Sequence, residues 1–256
     1  MKKIKIFTLT FAVLTSLFFL FGLEIVPEHL QIQRILDSAV PNDVIIIFNS
    51  GGWGDTPLEK AEDFAPIVKE IQETLNDWGY NSIVIPYNRT KNNLAGKLAG
   101  TKDFLNSFDS SSEILAEDLE RLTAGLPDKK IIIAGLSNGG AFARETMEKI
   151  SDDAKNSIYA ISVGVPFWYG DSQPGNTLQL TNRGRDSLSA GEVRDLLLSL
   201  IETPFRWIYS KVNGDDLAFA QAFQVPGHAY SWSSDMVGPQ IVNFLEAKLQ
   251  NISKKE

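Results

Sequence analysis

Short apolar runs alternate along the chain with longer segments in which apolar residues recur every three or four positions. The short runs predict β-strands at 44–48, 82–86, 130–134, 158–165, 206–210 and 219–225. The longer segments predict helices at 58–78, 111–124, 140–150, 190–201 and 235–249. This alternation predicts an α/β fold, with a mostly parallel sheet of about six strands and helices on both faces.

Three stretches are less regular. Large and small residues alternate over 219–225, which favours a strand, but the alanines there suit a helix equally well. The stretch 87–107 is polar and contains glycine, and we expect a loop near the edge of the sheet that carries the chemistry. The stretch 166–189 has no clear period and carries several aromatic residues.

The N-terminus has the pattern of a membrane-targeting segment. Three lysines within the first five residues precede an uncharged stretch of about 18 residues, 6–23. Because this stretch ends without a small-residue cleavage site, an uncleaved signal anchor at 1–24 is favoured over a cleaved signal peptide. An anchored domain would then face the outside of the membrane, and a cleaved one would be secreted. We expect a short connecting helix within 25–42, one catalytic domain over 43–250 and a solvated tail at 251–256.

The composition excludes several classes of function. With 43% hydrophobic residues, the 256-residue chain can bury one sizeable core. A net charge of −8 argues against a nucleic-acid partner. With two histidines and no cysteine, the usual zinc or iron sites cannot be assembled, and no phosphate-binding glycine loop follows any predicted strand. We therefore expect no cofactor and no metal.

A Gly-x-Ser-x-Gly pattern at 135–139 carries the clearest chemical signal. It joins the predicted strand 130–134 to the predicted helix 140–150, with Ser137 at its centre. A serine on such a tight strand-to-helix turn has its hydroxyl exposed at the top of a sheet, where it can act as a nucleophile. Glycines on either side let the neighbouring strand and helix approach closely.

A serine nucleophile requires a base, usually histidine, and an acid that orients it. The two histidines are His29, which follows the apolar N-terminal segment, and His228, which precedes the last predicted helix. Catalytic groups collect at the carboxyl ends of parallel strands, so His228 is the predicted base and His29 an exposed polar residue.

From about Asp43 onward the chain resembles small serine hydrolases of the α/β-hydrolase fold, the family of minimal esterases and lipases. Ser137 and His228 occupy the first and last places in the family order of nucleophile, acid and histidine. The resemblance implies Asp215 as the acid, because it follows the predicted strand 206–210 and precedes one variable and two apolar residues. Asp216 is a close alternative, and Asp171 a third, because some family members carry the acid after the strand that follows the elbow helix.

Only about a dozen residues separate Asp215 from His228, which is short for the family and requires 219–225 to form the last strand directly. The resemblance also implies a cap or lid at 166–189, where this fold often has an insertion, and an oxyanion hole. One donor is the backbone N–H of Asn138, and the second is that of Gly52 or Trp53, in the glycine-rich loop after the first strand.

Aromatic side chains near the predicted site suggest an apolar acyl pocket lined by Trp168, Tyr230 and Trp232, although packing against the sheet is an equal alternative. Arg183 and Arg185 are expected to be surface charges rather than a site for an acidic substrate. The sequence thus predicts a serine hydrolase of a carboxylic ester, acting on an ester or acyl substrate. The alternatives are a non-catalytic envelope protein that binds or scaffolds, and a structural partner in a membrane complex, which would show a large exposed apolar patch.

Overall fold

The computed structural model describes residues 41–91, 93–170, 175–214, 222 and 224–249. The predicted anchor at 1–24, nearly all of the connecting segment 25–42 and the tail 251–256 lie outside these residues and remain predictions. Among the helices of the described part of the chain, none is both long enough and apolar enough to cross a membrane.

The centre of the fold is a parallel sheet of five strands. They run in the order β2-β1-β3-β4-β5, with every neighbouring pair parallel. The strands are β1 (Val44–Asn49), β2 (Ser82–Pro86), β3 (Lys130–Leu136), β4 (Ile158–Val163) and β5 (Thr177–Leu180).

Helices connect the strands and cover both faces of the sheet. The described helices are α1 (Ala65–Asp77), α2 (Leu94–Leu105), α3 (Asp109–Gly125), α4 (Asn138–Lys149), α5 (Ser187–Ala190), α6 (Val193–Val212) and α7 (Gly238–Leu249). Single 3-10 turns lie at Leu58–Lys60, Ala154–Asn156, Phe167–Tyr169 and Asn182–Gly184.

The core has one layer on each side of the sheet because successive strand residues point to opposite faces. Ile45 and Ile47 of β1 pack with helices α3 and α4 on one face. Val44 and Ile46 pack with α1 and α7 on the other. Every residue of β1 is buried, which is why the strand is a continuous apolar run in the sequence.

The predicted strand at 206–210 is wrong, because these residues belong to the 20-residue helix α6. Taken alone, the five residues have the composition of a strand. Over the longer segment, large apolar residues recur at 201, 205, 208 and 212, which is helical spacing. Of the predicted strand 219–225 only three residues are described, and none of them belongs to the sheet. The described sheet therefore has five strands where about six were expected.

Two predicted loops also contain regular structure. The stretch 87–107 holds α2, which begins where the Asn93 side chain accepts a hydrogen bond of 2.7 Å from the Gly96 N–H. The stretch 166–189, expected to be a cap or lid, contributes strand β5 to the edge of the sheet. Four residues are too few for the alternation of a strand to stand out in sequence.

The strand order changes direction between β1 and β3. These strands are neighbours, but the chain passes from β1 to β2 toward one edge of the sheet and from β3 to β4 toward the other edge. In open α/β sheets, ligands bind in the crevice outside the carboxyl ends of two such strands. The segments that follow β1 and β3 are the glycine-rich loop at 50–54 and the turn at Ser137.

Candidate active site

Ser137 lies between the last residue of β3 and the first residue of α4. Its backbone has φ 55° and ψ −119°, a conformation that non-glycine residues rarely adopt. The Ser137 N–H donates a 2.7 Å hydrogen bond to the carbonyl oxygen of Val163 at the end of β4. A serine held in strained geometry at a strand-to-helix turn is the arrangement predicted from the Gly-x-Ser-x-Gly pattern.

The two glycines of the pattern are required by close backbone packing. A Cβ on Gly135 would lie 2.2 Å from the Gly139 carbonyl oxygen. A Cβ on Gly139 would lie 2.4 Å from the carbonyl oxygen of Asn49. Any side chain at either position would therefore push β3, α4 and the end of β1 apart.

His228 forms a close pair with Asp186, a residue that the sequence analysis did not consider. The Nδ1 atom of His228 lies 2.8 Å from Oδ2 of Asp186. Asp186 is 0% exposed, whereas the side chain of His228 is 19% exposed. An ionised carboxylate only accepts hydrogen bonds, so Nδ1 carries a proton and Nε2 is left as the basic nitrogen.

Asp186 is held in place by four further donors. As N-cap of α5, its Oδ1 accepts from the N–H groups of Leu188 (2.9 Å) and Ser189 (3.4 Å). Its Oδ2 accepts from the hydroxyls of Ser189 (3.0 Å) and Tyr230 (2.6 Å). Burial alone would raise the pKa of Asp186. The hydrogen bond and charge of His228, with the hydrogen bonds from the Tyr230 and Ser189 hydroxyls, outweigh this effect, so that the pKa is lowered.

Tyr230 packs in the core and also contacts the acid. An apolar pocket and packing against the sheet were equal alternatives for it, and it is buried in the core layer with its hydroxyl bonded to the carboxylate of Asp186. Burial and the neighbouring carboxylate raise the pKa of Tyr230 far above its ordinary value, so the hydroxyl stays protonated and donates.

The acid loop and the histidine loop are joined by backbone contacts. The Ser187 N–H donates to the carbonyl oxygen of Pro226 at 3.0 Å, and the Asn182 side chain donates to that of Gly227 at 2.9 Å. Gly164, directly after β4, packs against the His228–Asp186 pair. A Cβ at this position would lie 2.7 Å from Cε1 of His228. Since its neighbour Val163 accepts the hydrogen bond of Ser137, the end of β4 contacts both the serine turn and the histidine–aspartate pair.

The loop after β1 lies against the serine turn. A Cβ on Gly51 would lie 3.8 Å from the Cβ of Ser137. The Asn138 side-chain amide donates to the Gly52 carbonyl oxygen at 3.2 Å. Asn138 is also the first residue of α4, and the first N–H groups of a helix have no partner inside it. The loop and the helix start therefore border the same space beside Ser137, as an oxyanion hole requires.

Arg89 stabilises the loop after β1 through two of its carbonyl oxygens. Its guanidinium donates to the carbonyl oxygens of Ser50 (2.8 Å) and Gly52 (3.2 Å). It also lies 5.0 Å from the centre of the Phe108 ring. Burial lowers the pKa of Arg89 to about 10, which leaves it charged at neutral pH. Sequence reasoning missed Arg89, because no pattern in the sequence connects it to residues almost 40 positions earlier.

The other residues singled out in the sequence, two for the pocket, one for the oxyanion hole and two as surface charges, lie in different environments. Trp168 is 48% exposed in the 3-10 turn after β4. Trp232 is partly buried against the core layer that contains α7. The Trp53 ring nitrogen donates to the Thr101 hydroxyl of α2 at 3.2 Å, and its ring is 42% exposed. Arg183 and Arg185 are exposed in the turn that precedes Asp186.

The three acids predicted from sequence, Asp171, Asp215 and Asp216, lie outside the described residues. The carboxylate at His228 is Asp186, which the sequence analysis had included in an inserted lid. A local signal was present in Asp186-Ser187-Leu188-Ser189, where an aspartate caps a short helix that Gly191 closes as its C-cap. Within the described part of the chain, no group of three or more acidic or histidine side chains is arranged to hold a metal ion.

Comparisons with known proteins give weak likenesses. No family model and no curated protein matches the chain in sequence. A solved structure of Trichoderma reesei cutinase in complex with a phosphonate inhibitor is 18% identical over 62% of this chain and 75% of its own, with a TM-score of 0.46. The tryptophan synthase α chain of Legionella pneumophila is 9% identical over 86% of this chain and 97% of its own, with a TM-score of 0.17.

The geometry defines what the site can do. It combines a strained, partly exposed serine, an imidazole with its proton fixed on Nδ1, a buried carboxylate and two sources of backbone N–H groups. These are the parts needed to transfer an acyl group through a covalent intermediate.

Proposed function

We propose that the protein is a serine hydrolase that cleaves a carboxylic ester through an acyl-enzyme. Ser137 attacks the ester carbonyl, and Nε2 of His228 takes its proton and returns it to the leaving alcohol. Water, activated by the same imidazole, then releases the acid. The acid partner is Asp186 in place of Asp215, Asp216 or Asp171, because Asp186 bonds to Nδ1 of His228.

The observation that carries the proposal is the backbone of Ser137. Other non-glycine residues with positive φ, such as Phe108 and Arg183, lie in the left-handed helical region, whereas the ψ of −119° places Ser137 outside it. Such strain costs free energy and persists where the surrounding structure over-determines it. The nearby His228–Asp186 pair supplies the base that an activated serine requires.

In this proposal, negative charge on the carbonyl oxygen of the tetrahedral intermediate is stabilised by the backbone N–H of Asn138 and by that of Gly52 or Trp53. Arg89 keeps the carbonyl oxygens of the same loop directed toward itself. The loop amides are thereby free to face the oxyanion.

We also propose that the domain faces the outside of a membrane and is tethered by residues 1–24. The lysines before the apolar stretch support this orientation. Retention of the protein in membranes after an alkaline wash tests it, and full release into the wash would instead indicate a cleaved, secreted form.

Labelling of the full chain in mild detergent with a fluorophosphonate tests the chemistry. We expect stoichiometric labelling that is lost in Ser137→Ala and in His228→Ala, and that is unchanged in Ser110→Ala, which alters an exposed serine. Hydrolysis of p-nitrophenyl esters by the same four proteins gives a second readout. A folded wild-type protein that neither labels nor hydrolyses would contradict the proposal and favour a non-catalytic binding or scaffold protein.

A further inference from the structure

Helix α6 turns its apolar side to solvent. Eight of its large hydrophobic side chains are between 46% and 78% exposed. A soluble monomer rarely leaves a contiguous apolar surface of this size in water. These eight residues, called here the apolar face of α6, are Val193, Leu197, Leu198, Ile201, Phe205, Ile208, Tyr209 and Val212.

The opposite side of the helix is buried and polar. Ser199, Thr203 and Ser210 are each less than 7% exposed. Their burial is tolerated because the Thr203 hydroxyl donates to the Ser199 carbonyl oxygen at 2.7 Å, and the Ser210 hydroxyl to that of Trp207 at 3.0 Å. The usual amphipathic pattern of a surface helix is therefore inverted.

The apolar face is broad and flat. At about 100° per residue, its members span an arc of about 160° around the helix, and the three buried hydroxyl residues lie opposite its centre. Within this arc the exposed charges are Arg194 in the first turn and Lys211 at the edge of the last turn, so the middle of the helix is free of charge on this side. A helix of 20 residues extends this surface over about 30 Å. A surface of this width suits contact with a flat layer better than contact with a single partner helix.

Aromatic side chains extend the apolar surface beyond α6, past the short helix that Asp186 caps. The short helix α5 follows Asp186 and contacts both α6 and the 3-10 turn at Phe167–Tyr169. Phe167 and Trp168 in that turn are 41% and 48% exposed. In the described part of the chain, the other exposed large hydrophobic residues are in α2 or the loop after β1, namely Leu98, Leu105 and Trp53. All these segments follow the carboxyl ends of strands, as the serine turn does.

We propose that the apolar face of α6 docks the domain onto a lipid surface, with the helix axis in the plane of the headgroups. Helices that lie in the membrane interface combine a large apolar side with aromatic residues at headgroup depth, here Phe205 and Tyr209. The predicted anchor would hold the domain at that surface, since the 17 residues between 23 and 41 reach at most about 60 Å. This docking does not depend on the chemistry of Ser137.

A lipid surface fits better than the chain's own stretch 6–23. That stretch has no polar side, so packing it on α6 in water would leave its other side exposed. A bilayer accommodates both apolar surfaces at once.

A lipid surface also fits better than a second copy of the chain. A helical pair uses a narrow seam with apolar residues alternately three and four apart. Positions 198, 201, 205, 208 and 212 follow that spacing, but the equally exposed residues at 193, 197 and 209 widen the face to an arc of about 160°, broader than such a seam.

The test uses single cysteines, because the chain has none of its own. Ile201→Cys, Phe205→Cys and the control Lys69→Cys in α1, whose side chain is 76% exposed, are labelled with an environment-sensitive NBD dye. The full-length proteins are reconstituted into phosphatidylcholine vesicles with or without brominated acyl chains. We expect blue-shifted emission at 201 and 205 and bromine quenching about twofold or more above that at 69.

Three results would overturn the proposal. Equal quenching at 201, 205 and 69 would mean that α6 stays in water. Labels shielded from water but not quenched by bromine would indicate that residues 6–23 cover the face. Cross-linking between copies through Cys at 205, again without bromine quenching, would indicate a dimer.

Discussion

The serine turn and the acid loop carry the two halves of the candidate site, and they leave different traces in the sequence. The serine turn has glycines two positions away on either side of Ser137, where close packing requires them. Asp186 is held locally by the N–H groups of Leu188 and Ser189, but the side chains that join it to the site, those of His228 and Tyr230, lie 42 and 44 positions away. The first half is therefore visible as a short pattern in the sequence, whereas the pairing of Asp186 with His228 is visible only in the fold.

The largest expected effect concerns the serine turn. Gly139→Ala would bring a Cβ within 2.4 Å of the Asn49 carbonyl oxygen, a backbone atom that cannot move aside freely. We expect the free energy of unfolding to fall by about 3 kcal/mol and fluorophosphonate labelling to be lost. Urea denaturation and labelling measure the two effects.

The matched control is Gly175→Ala, since a Cβ at Gly175 meets no atom within 4 Å. Its stability is expected to change by less than about 1 kcal/mol. Equal losses in the two variants would mean that the serine turn is less tightly packed than described.

A smaller effect is expected at the acid loop. Tyr230→Phe removes the hydroxyl that is bonded to Asp186 at 2.6 Å and keeps the ring. Loss of one hydrogen bond to a charged group should slow fluorophosphonate labelling about tenfold. Tyr80→Phe removes a hydroxyl that bonds to Leu249 at the end of α7, and labelling should be unchanged. Unchanged labelling in Tyr230→Phe would show that this hydroxyl does not position the acid.

The smallest effect is a pH dependence of stability. Folding lowers the pKa of Asp186 below its unfolded value of about 3.9, so the ionised carboxylate stabilises the fold above that pH. This contribution is lost as the pH falls through the folded pKa. We therefore expect the wild-type advantage in unfolding free energy over Asp186→Asn to shrink as the pH falls below about 4, where the carboxylate takes up its proton. An advantage that still grows below that pH would contradict the assignment.

The difference between contacts close in sequence and contacts far apart in sequence explains which parts of the fold are predictable. The first four strands, the parallel sheet and the turn at Ser137 follow from local patterns of apolar residues and glycine. Strand β5 was missed because four residues show too little alternation, and part of α6 was predicted as a strand because residues 206–210 taken alone have the composition of one. Asp215 and Asp216 were favoured because they follow that false strand, and the helix-capping signal at Asp186 does not by itself connect it to His228.

The most direct test of the central claim compares four variants, Asp186→Asn, Asp215→Asn, Asp216→Asn and Asp171→Asn, by their rates of inactivation with a fluorophosphonate. Circular dichroism first establishes that each is folded. If Asp186 orients His228, Asp186→Asn alone should be slowed, by roughly a thousandfold or more, and the other three should stay within about twofold of wild type. A comparable loss in Asp215→Asn or Asp216→Asn, with Asp186→Asn near wild type, would contradict this account of the site.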